Sequence, residues 1–255
     1  TMLTAVGGQS TGRLTYSVVS GPATVDPVTG LLKVTGLGEI VVKAVLGEDN
    51  EYVSTEAYVT IIGERRPITV TADDQTKVYG AADPTLTYKV EGLVAGDTLT
   101  GTLKYTGTNV GTYDIVKDSG FENGNYDVTF VKGTMTITKK PITVTADNQT
   151  KVYGSSDPAL TYKVDGLVGN DTLTGTLKYT GSNVGSYDIV KDSGFENGNY
   201  EFTIVPGTMT VTKRAITIVV SDNSIVYGDA AAPATVPYTF KDGKGLFGDE
   251  TLAGE

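Results

Sequence analysis

The chain has 255 residues, 39% of them hydrophobic and 20% charged, which is enough for two or more globular domains. Its formal net charge of −10 argues against nucleic acid and anionic membrane as partners, because those affinities rest on Lys and Arg. With Cys 0 and His 0, the sequence has no disulfide, no thiolate or imidazole metal site, no cysteine nucleophile and no Ser-His-Asp triad.

The chain opens at Thr1-Met2-Leu3 with no basic segment followed by an apolar run, and no stretch approaches the roughly 18 apolar residues of a membrane span. The expectation is of an internal fragment, with any signal peptide or wall anchor outside it. Abundant Gly, Thr, Val and Tyr, with few helix formers, predict an all-β fold of short strands joined by turns. In residues 1–66 strands are expected at 14–19, 31–34, 39–44 and 55–62. The element from Asp26 to Gly38 reads D-x-x-T-G-x-L-x-V-x-x-x-G and is followed by an alternating strand and Tyr52. It resembles the late strands of bacterial immunoglobulin-like modules, and the resemblance implies one such module, N-terminally shortened, over residues 1–66.

From Pro67 the apolar pattern has a period of two. Ile68, Val70 and Ala72 alternate with threonines, and the same alternation continues through Leu86, Tyr88 and Val90, then Leu103 and Tyr105. It resumes at Tyr113 and Ile115, at Tyr126, Val128 and Phe130, and at Met135 and Ile137. Six such strands make a small antiparallel sandwich. Turn residues separate them at Tyr79-Gly80, Asp83-Pro84, Thr106-Gly107 and Asn123-Gly124, and Lys132-Gly133 is expected to close a final hairpin. Only residues 92–97 could hold a single helical turn.

Residues 141–214 repeat residues 67–140 almost letter for letter at an offset of 74, so one folding unit was duplicated. A chemical site is usually built once, so duplication favours length, valency or surface over catalysis. Val128 and Phe130 become Phe202 and Ile204, a swap that conserves volume and marks these positions as core. A third copy starts at Ala215-Ile216, and the expectation is an incomplete module over 215–255 with Ile216, Ile218 and Val220 on an uncovered strand face.

Three junctions carry basic pairs, Arg65-Arg66, Lys139-Lys140 and Lys213-Arg214. Either they meet carboxylates of a neighbouring module or they are solvated strand ends. Asp73-Asp74, repeated as Asp147-Asn148 and Asp222-Asn223, are oxygen-rich and raise the question of calcium, as does the loop 118–124. Neither has the spacing of a defined calcium loop, and turn chemistry explains both better. Tyr88, Tyr105, Tyr113 and Tyr126 share the apolar parity of their strands and read as core, whereas Tyr79 sits at a turn and is the better exposed candidate for stacking on sugars. No two carboxylates stand out as a glycosidase pair. A lysine–asparagine isopeptide crosslink is open by composition and needs a buried carboxylate beside the pair. No catalytic, cofactor-binding or metal-ligating residue is assigned.

With Lys77-Val78-Tyr79-Gly80 followed by Asp83-Pro84, Gly92-Leu93 and Asn125-Tyr126, the repeats resemble the MBG (mostly beta, glycine-rich) modules of bacterial surface proteins. The residues that carry the resemblance are Lys77-Val78-Tyr79-Gly80, Asp83-Pro84, Leu86-Thr87-Tyr88, Gly92-Leu93, Gly96-Asp97-Thr98-Leu99, Asn109-Val110-Gly111-Thr112-Tyr113 and Asn125-Tyr126. The second copy matches at Tyr153-Gly154, Asp157-Pro158, Gly166-Leu167, Asn183-Val184-Gly185-Ser186-Tyr187 and Asn199-Tyr200, and the third keeps Val226-Tyr227-Gly228, Gly245-Leu246 and Gly248-Asp249, with Pro233 shifted. What the resemblance implies is a bacterial, extracellular or cell-surface array in an adhesin-like protein. Such an array is non-enzymatic and free of cofactors, with host or environmental glycans or proteins and neighbouring modules of the same chain as partners. An ancillary, glycan-binding array on an extracellular enzyme is the alternative. Arg66-Pro67 and Lys140-Pro141 join modules without slack, so a rod is expected.

Overall fold

In the computed structural model residues 1–6, 10–222, 224–228, 237–241 and 245–252 are described, and none of them lies in an α-helix. The first module supplies β1 (Leu14–Ser20), β2 (Ala23–Val25), β3 (Leu32–Val34), β4 (Gly38–Leu46) and β5 (Thr55–Gly63). Repeat 1 supplies β6 (Arg66–Ala72), β7 (Gln75–Val78), β8 (Tyr88–Glu91), β9 (Gly101–Lys104), β10 (Gly111–Gly120), β11 (Tyr126–Val131) and β12 (Gly133–Thr138). Repeat 2 supplies β13 (Lys140–Ala146), β14 (Gln149–Val152), β15 (Tyr162–Asp165), β16 (Gly175–Lys178), β17 (Gly185–Gly194), β18 (Tyr200–Val205) and β19 (Gly207–Thr212). The third copy shows β20 (Ile218–Val220) paired antiparallel with β21 (Tyr238–Phe240). The chain is all-β, a tandem series of small sandwich-like modules.

In the first module β1, β4 and β5 form an antiparallel sheet, and β2 and β3 form a hairpin not foreseen from the sequence. The D-x-x-T-G element makes that hairpin's turn. Asp26 Oδ1 accepts the backbone N–H groups of Val28 and Thr29, and Leu32 then packs with Ile40 and Val42.

Each repeat is two facing sheets, β11-β6-β8 over β7-β12-β10-β9 in the first and β15-β13-β18 over β14-β19-β17-β16 in the second. The pairing is mixed. β6 runs parallel to β11, β13 parallel to β18, and β14 parallel to β19, while β6–β8, β9–β10, β10–β12, β13–β15, β16–β17 and β17–β19 are antiparallel. The expected hairpin at Lys132-Gly133 is not formed, because β11 and β12 belong to different sheets and Lys132 is the point where the chain passes from one to the other. The inward residues show why. They are even-numbered on β11 (Tyr126, Val128, Phe130) and odd-numbered on β12 (Gly133, Met135, Ile137). A strand that continues from one sheet to its opposite has the core on its other side and must change parity. The β6–β7 passage at Asp73-Asp74 makes the same switch.

The cores follow the predicted parity. Ile68, Val70 and Tyr126 are buried together with Leu99 and Phe121, and Val128 and Phe130 pack against them. Each such apolar side chain contributes roughly 1.5–3 kcal/mol. In repeat 2, Ala146, Ile189, Met209 and Val211, the counterparts of Ala72, Ile115, Met135 and Ile137, form a buried cluster. In the third copy Ile216, Ile218 and Val220 are exposed among the described residues. Pro233 and Asn223 lie outside the described residues.

Candidate functional site

Residue contacts group the chain into two units, Thr1–Lys77 with Ala82–Ile137 and Val78–Ala81 with Thr138–Glu255. The second unit thus takes the Tyr79-Gly80 turn out of the sequence of repeat 1. Tyr79 is half-buried there, not the exposed sugar-stacking residue expected from its place in a turn. Its hydroxyl donates to Asp171 Oδ2 at 3.0 Å, and its ring meets that of Tyr200 edge-on at 5.5 Å between centroids. Gly80 lies against Val168 so closely that a Cβ on it would come within 2.3 Å of that side chain. Only glycine permits this approach, and its φ of +76° is also one that glycine adopts without strain.

The receiving turn is built locally. Val168 and Asp171 close a hydrogen-bonded turn, Asp171 N–H to Val168 O at 3.0 Å. The Tyr200 hydroxyl bridges it, accepting the Val168 N–H at 2.9 Å and donating to Asp171 Oδ2. The carboxylate therefore accepts two tyrosine hydroxyls. Asp171 holds the Tyr79 phenol above its ordinary ionisation range, and burial, then Asp171, does the same for Tyr200.

The same construction recurs one module on. The Tyr153 hydroxyl donates to Glu250 Oε1 at 2.5 Å, its ring meets Phe247 edge-on at 5.8 Å, and a Cβ on Gly154 would fall 2.5 Å from the Phe247 ring. Val168 and Phe247 occupy the same place in Gly-Leu-Val-Gly-Asn-Asp (166–171) and Gly-Leu-Phe-Gly-Asp-Glu (245–250), as do Asp171 and Glu250. Both turns have a positive φ at the glycine after that residue, Gly169 and Gly248. Lys213 and Arg214 line the same depression as Glu250. Arg66 differs: its guanidinium donates to the Gly92 carbonyl at 2.7 Å.

In unit 1 the corresponding turn of repeat 1 has the same internal wiring. Val94 N–H donates to the Tyr126 hydroxyl at 3.1 Å, and that hydroxyl donates to Asp97. Residues 92–97, the one stretch able to hold a helical turn by sequence, contain a β-turn closed by Asp97 N–H to Val94 O, with a positive φ at Gly96. Residues 1–66 contain no Tyr-Gly pair to seat on it; Gly36 and Leu37 of the first module line a depression beside Val94 and Asp97.

The other residues singled out in the sequence serve the fold. Asp73 accepts Thr87 Oγ1 and faces Lys89, and Asp147 accepts Thr161 Oγ1. Asp74 Oδ1 accepts the Thr134 N–H at 2.7 Å, and Asn148 Oδ1 accepts the Thr208 N–H at 2.8 Å. An amide oxygen replaces the carboxylate at the second position with the same bond, so the role is backbone capping and needs no charge. Within the loop 118–124, Asp118 pairs with Lys104 and Glu122 with Lys117. No group of three or more Asp and Glu suited to a metal occurs among the described residues. Lys77 and Lys151 end at 2.5 Å on Asp83 and Asp157, carboxylates that also accept the Tyr105 and Tyr179 hydroxyls, so each lysine meets an aspartate and a phenol. Lys77, then Tyr105, keeps Asp83 below the ordinary carboxylate range.

Sequence reading missed Asp171, Glu250 and the Tyr200 hydroxyl as partners of the Tyr-Gly turn. The available signal was the recurrence of Gly-Leu-x-x-x-acid in all three copies, each following a Tyr-Gly pair.

Among solved structures, the chain is similar to the crystal structure of Drosophila N-cadherin EC1-3, at 13% identity and a TM-score of 0.23, covering 81% of this chain and 91% of that one. It is also similar to Drosophila N-cadherin EC1-4, at 14% identity and a TM-score of 0.19, covering 80% and 68%. No curated protein sequence matches the chain. The family model of the MBG domain (YGX type) matches residues 68–136 and again 142–210, spans that contain Tyr79-Gly80 and Tyr153-Gly154. These two matches take in more than half of the residues, and the chain belongs to the MBG domain (YGX type) family.

Proposed function

We propose that this chain is a non-catalytic run of interaction modules from a secreted or cell-surface bacterial adhesin. In this reading a bacterial immunoglobulin-like module at 1–66 precedes two MBG repeats, and a third copy starts at 215. The observation that carries it is the duplicated seat of the Tyr-Gly turn, Tyr79-Gly80 on Val168 and Asp171 and Tyr153-Gly154 on Phe247 and Glu250. This polar arrangement is built twice and leaves its carboxylates engaged by phenols. Glycans or proteins of a host or its surroundings are the proposed ligands, bound through repeated weak contacts whose avidity grows with module number.

The test has two arms. Antibodies to the purified chain should label intact, unpermeabilised cells of the source, and the chain displayed on beads should be retained saturably on a glycan or host-protein array. Labelling only after lysis refutes the location. Turnover of a glycan or peptide that one carboxylate substitution abolishes refutes the non-catalytic reading.

A further inference from the structure

Tyr227-Gly228 stands in the third copy where Tyr79-Gly80 and Tyr153-Gly154 stand in the first two. Its backbone has the same character, with φ of +98° at Gly228 against +76° at both Gly80 and Gly154. Its surroundings are opposite. A Cβ on Gly228 would meet nothing within 4 Å among the described residues, and Tyr227 is fully exposed, its relative accessibility 105%.

We propose that Tyr227-Gly228 is a docking site for another module of this family, which it holds through that module's Gly-Leu-x-Gly-x-acid turn. The proposal rests on the reading of the Tyr-Gly seat given above and extends it from contacts within the chain to a partner. The two filled seats define the occupant's chemistry. A Val or Phe side chain must lie over the bare glycine, as Val168 and Phe247 do, and an Asp or Glu carboxylate must accept the phenol, as Asp171 and Glu250 do. A glycine must follow the apolar residue, as Gly169 and Gly248 do with positive φ. An exposed phenol beside an unfilled glycine shelf lacks all three.

Such a contact is far smaller than a standard protein interface, so between separate chains it is weak, whereas a tether supplies effective concentrations near millimolar. The experiment therefore uses an isotope-labelled wild-type chain as acceptor and an unlabelled full-length chain carrying Tyr79→Ala and Tyr227→Ala as donor. The first substitution uncovers the donor's own turn at 166–171, and the second removes its free tyrosine. Amide exchange of the donor comes first: exchange at 168–171 should rise above wild type, and unchanged exchange overturns the reading of the Tyr79 seat itself.

With that established, the donor should produce saturable shifts at the acceptor's Gly228 amide and Tyr227 ring at up to about 1 mM. A donor that also carries Asp171→Ala should bind roughly tenfold more weakly, and so should the wild-type chain, whose turn is covered by Tyr79-Gly80. No saturable shift, or equal shifts from the Asp171→Ala donor, overturns the proposal for Tyr227 alone. Loss of glycan retention on Tyr227→Ala without any donor-induced shift also overturns it, in favour of a sugar stacked on the phenol.

Discussion

The Tyr79 hydroxyl and the Asp171 carboxylate meet at 3.0 Å although 92 residues separate them in sequence. Tyr79→Phe removes that bond and keeps the ring on Tyr200; Tyr79→Ala removes both. Amide exchange at 168–171 should therefore increase from wild type to Tyr79→Phe to Tyr79→Ala, with the amides of β13 and β17 unchanged. The bond also has a defined pH range. Because Asp171 raises the folded phenol above its ordinary value of 10.0, the contribution is complete below pH 10 and is lost as pH rises through the higher folded value.

Phe121 and Phe195 are each 1% exposed yet adopt φ of 61° and 55°, a left-handed backbone that costs a non-glycine residue about 1–2 kcal/mol. Burial offsets that cost, with Tyr88 and Tyr162 packed edge-on at 4.7 and 4.9 Å. Phe121→Ala or Phe195→Ala should destabilise its repeat by about 3–5 kcal/mol in urea unfolding. An effect below about 1 kcal/mol would show that the ring is not part of the core.

Asp74→Asn should leave stability within a few tenths of a kcal/mol of wild type, because Asn148 makes the same bond in repeat 2. Asp74→Ala orphans the Thr134 amide and should cost about 1 kcal/mol. Calcium should shift the melting temperature of neither the wild type nor Asp74→Asn. A calcium-dependent rise present in the wild type and lost in Asp74→Asn would restore the metal reading.

Asp49 organises the first module. It accepts hydrogen bonds from the Ser10 hydroxyl and from the backbone N–H groups of Thr11, Glu51 and Tyr52. These, the Ser10 bond foremost, hold it far below its ordinary 3.8. A depressed carboxylate contributes fully above the unfolded value and progressively less as pH falls below about 4. The urea midpoint of the first module should therefore fall between pH 5 and pH 2, and Asp49→Asn should flatten that dependence while lowering stability at pH 7.

The strand parity of Ile68, Val70 and Ala72, and of Met135 and Ile137, was legible in the sequence because alternation is local and each segment has one buried face. The passage at Lys132 was not read correctly. A short link between two alternating strands looks like a hairpin, and only the partners of β11 and β12 reveal that they lie in different sheets. The change of inward parity from Phe130 to Gly133 was the available clue. Phe121 was hidden for another reason: it is a lone apolar residue in Asp-Ser-Gly-Phe-Glu-Asn-Gly, where composition reads as solvated loop. Tyr79 escaped because its partners come from a later copy of its own sequence, and no local pattern specifies a contact between copies.

The parallel pairing of β13 with β18 and of β14 with β19 has a mechanical consequence. The first strands of repeat 2 and its last strands lie side by side and point the same way, six residues in register along β13 and β18 alone. When the two ends of such a module are drawn apart, the neighbouring strands are pulled past each other along their length. The ladder hydrogen bonds are then strained together in shear, whereas an antiparallel terminal pair would peel open one bond at a time. The crossings at 147–148 and 205–207 extend that seam through both sheets, so a load borne along the chain falls on both parallel pairs at once.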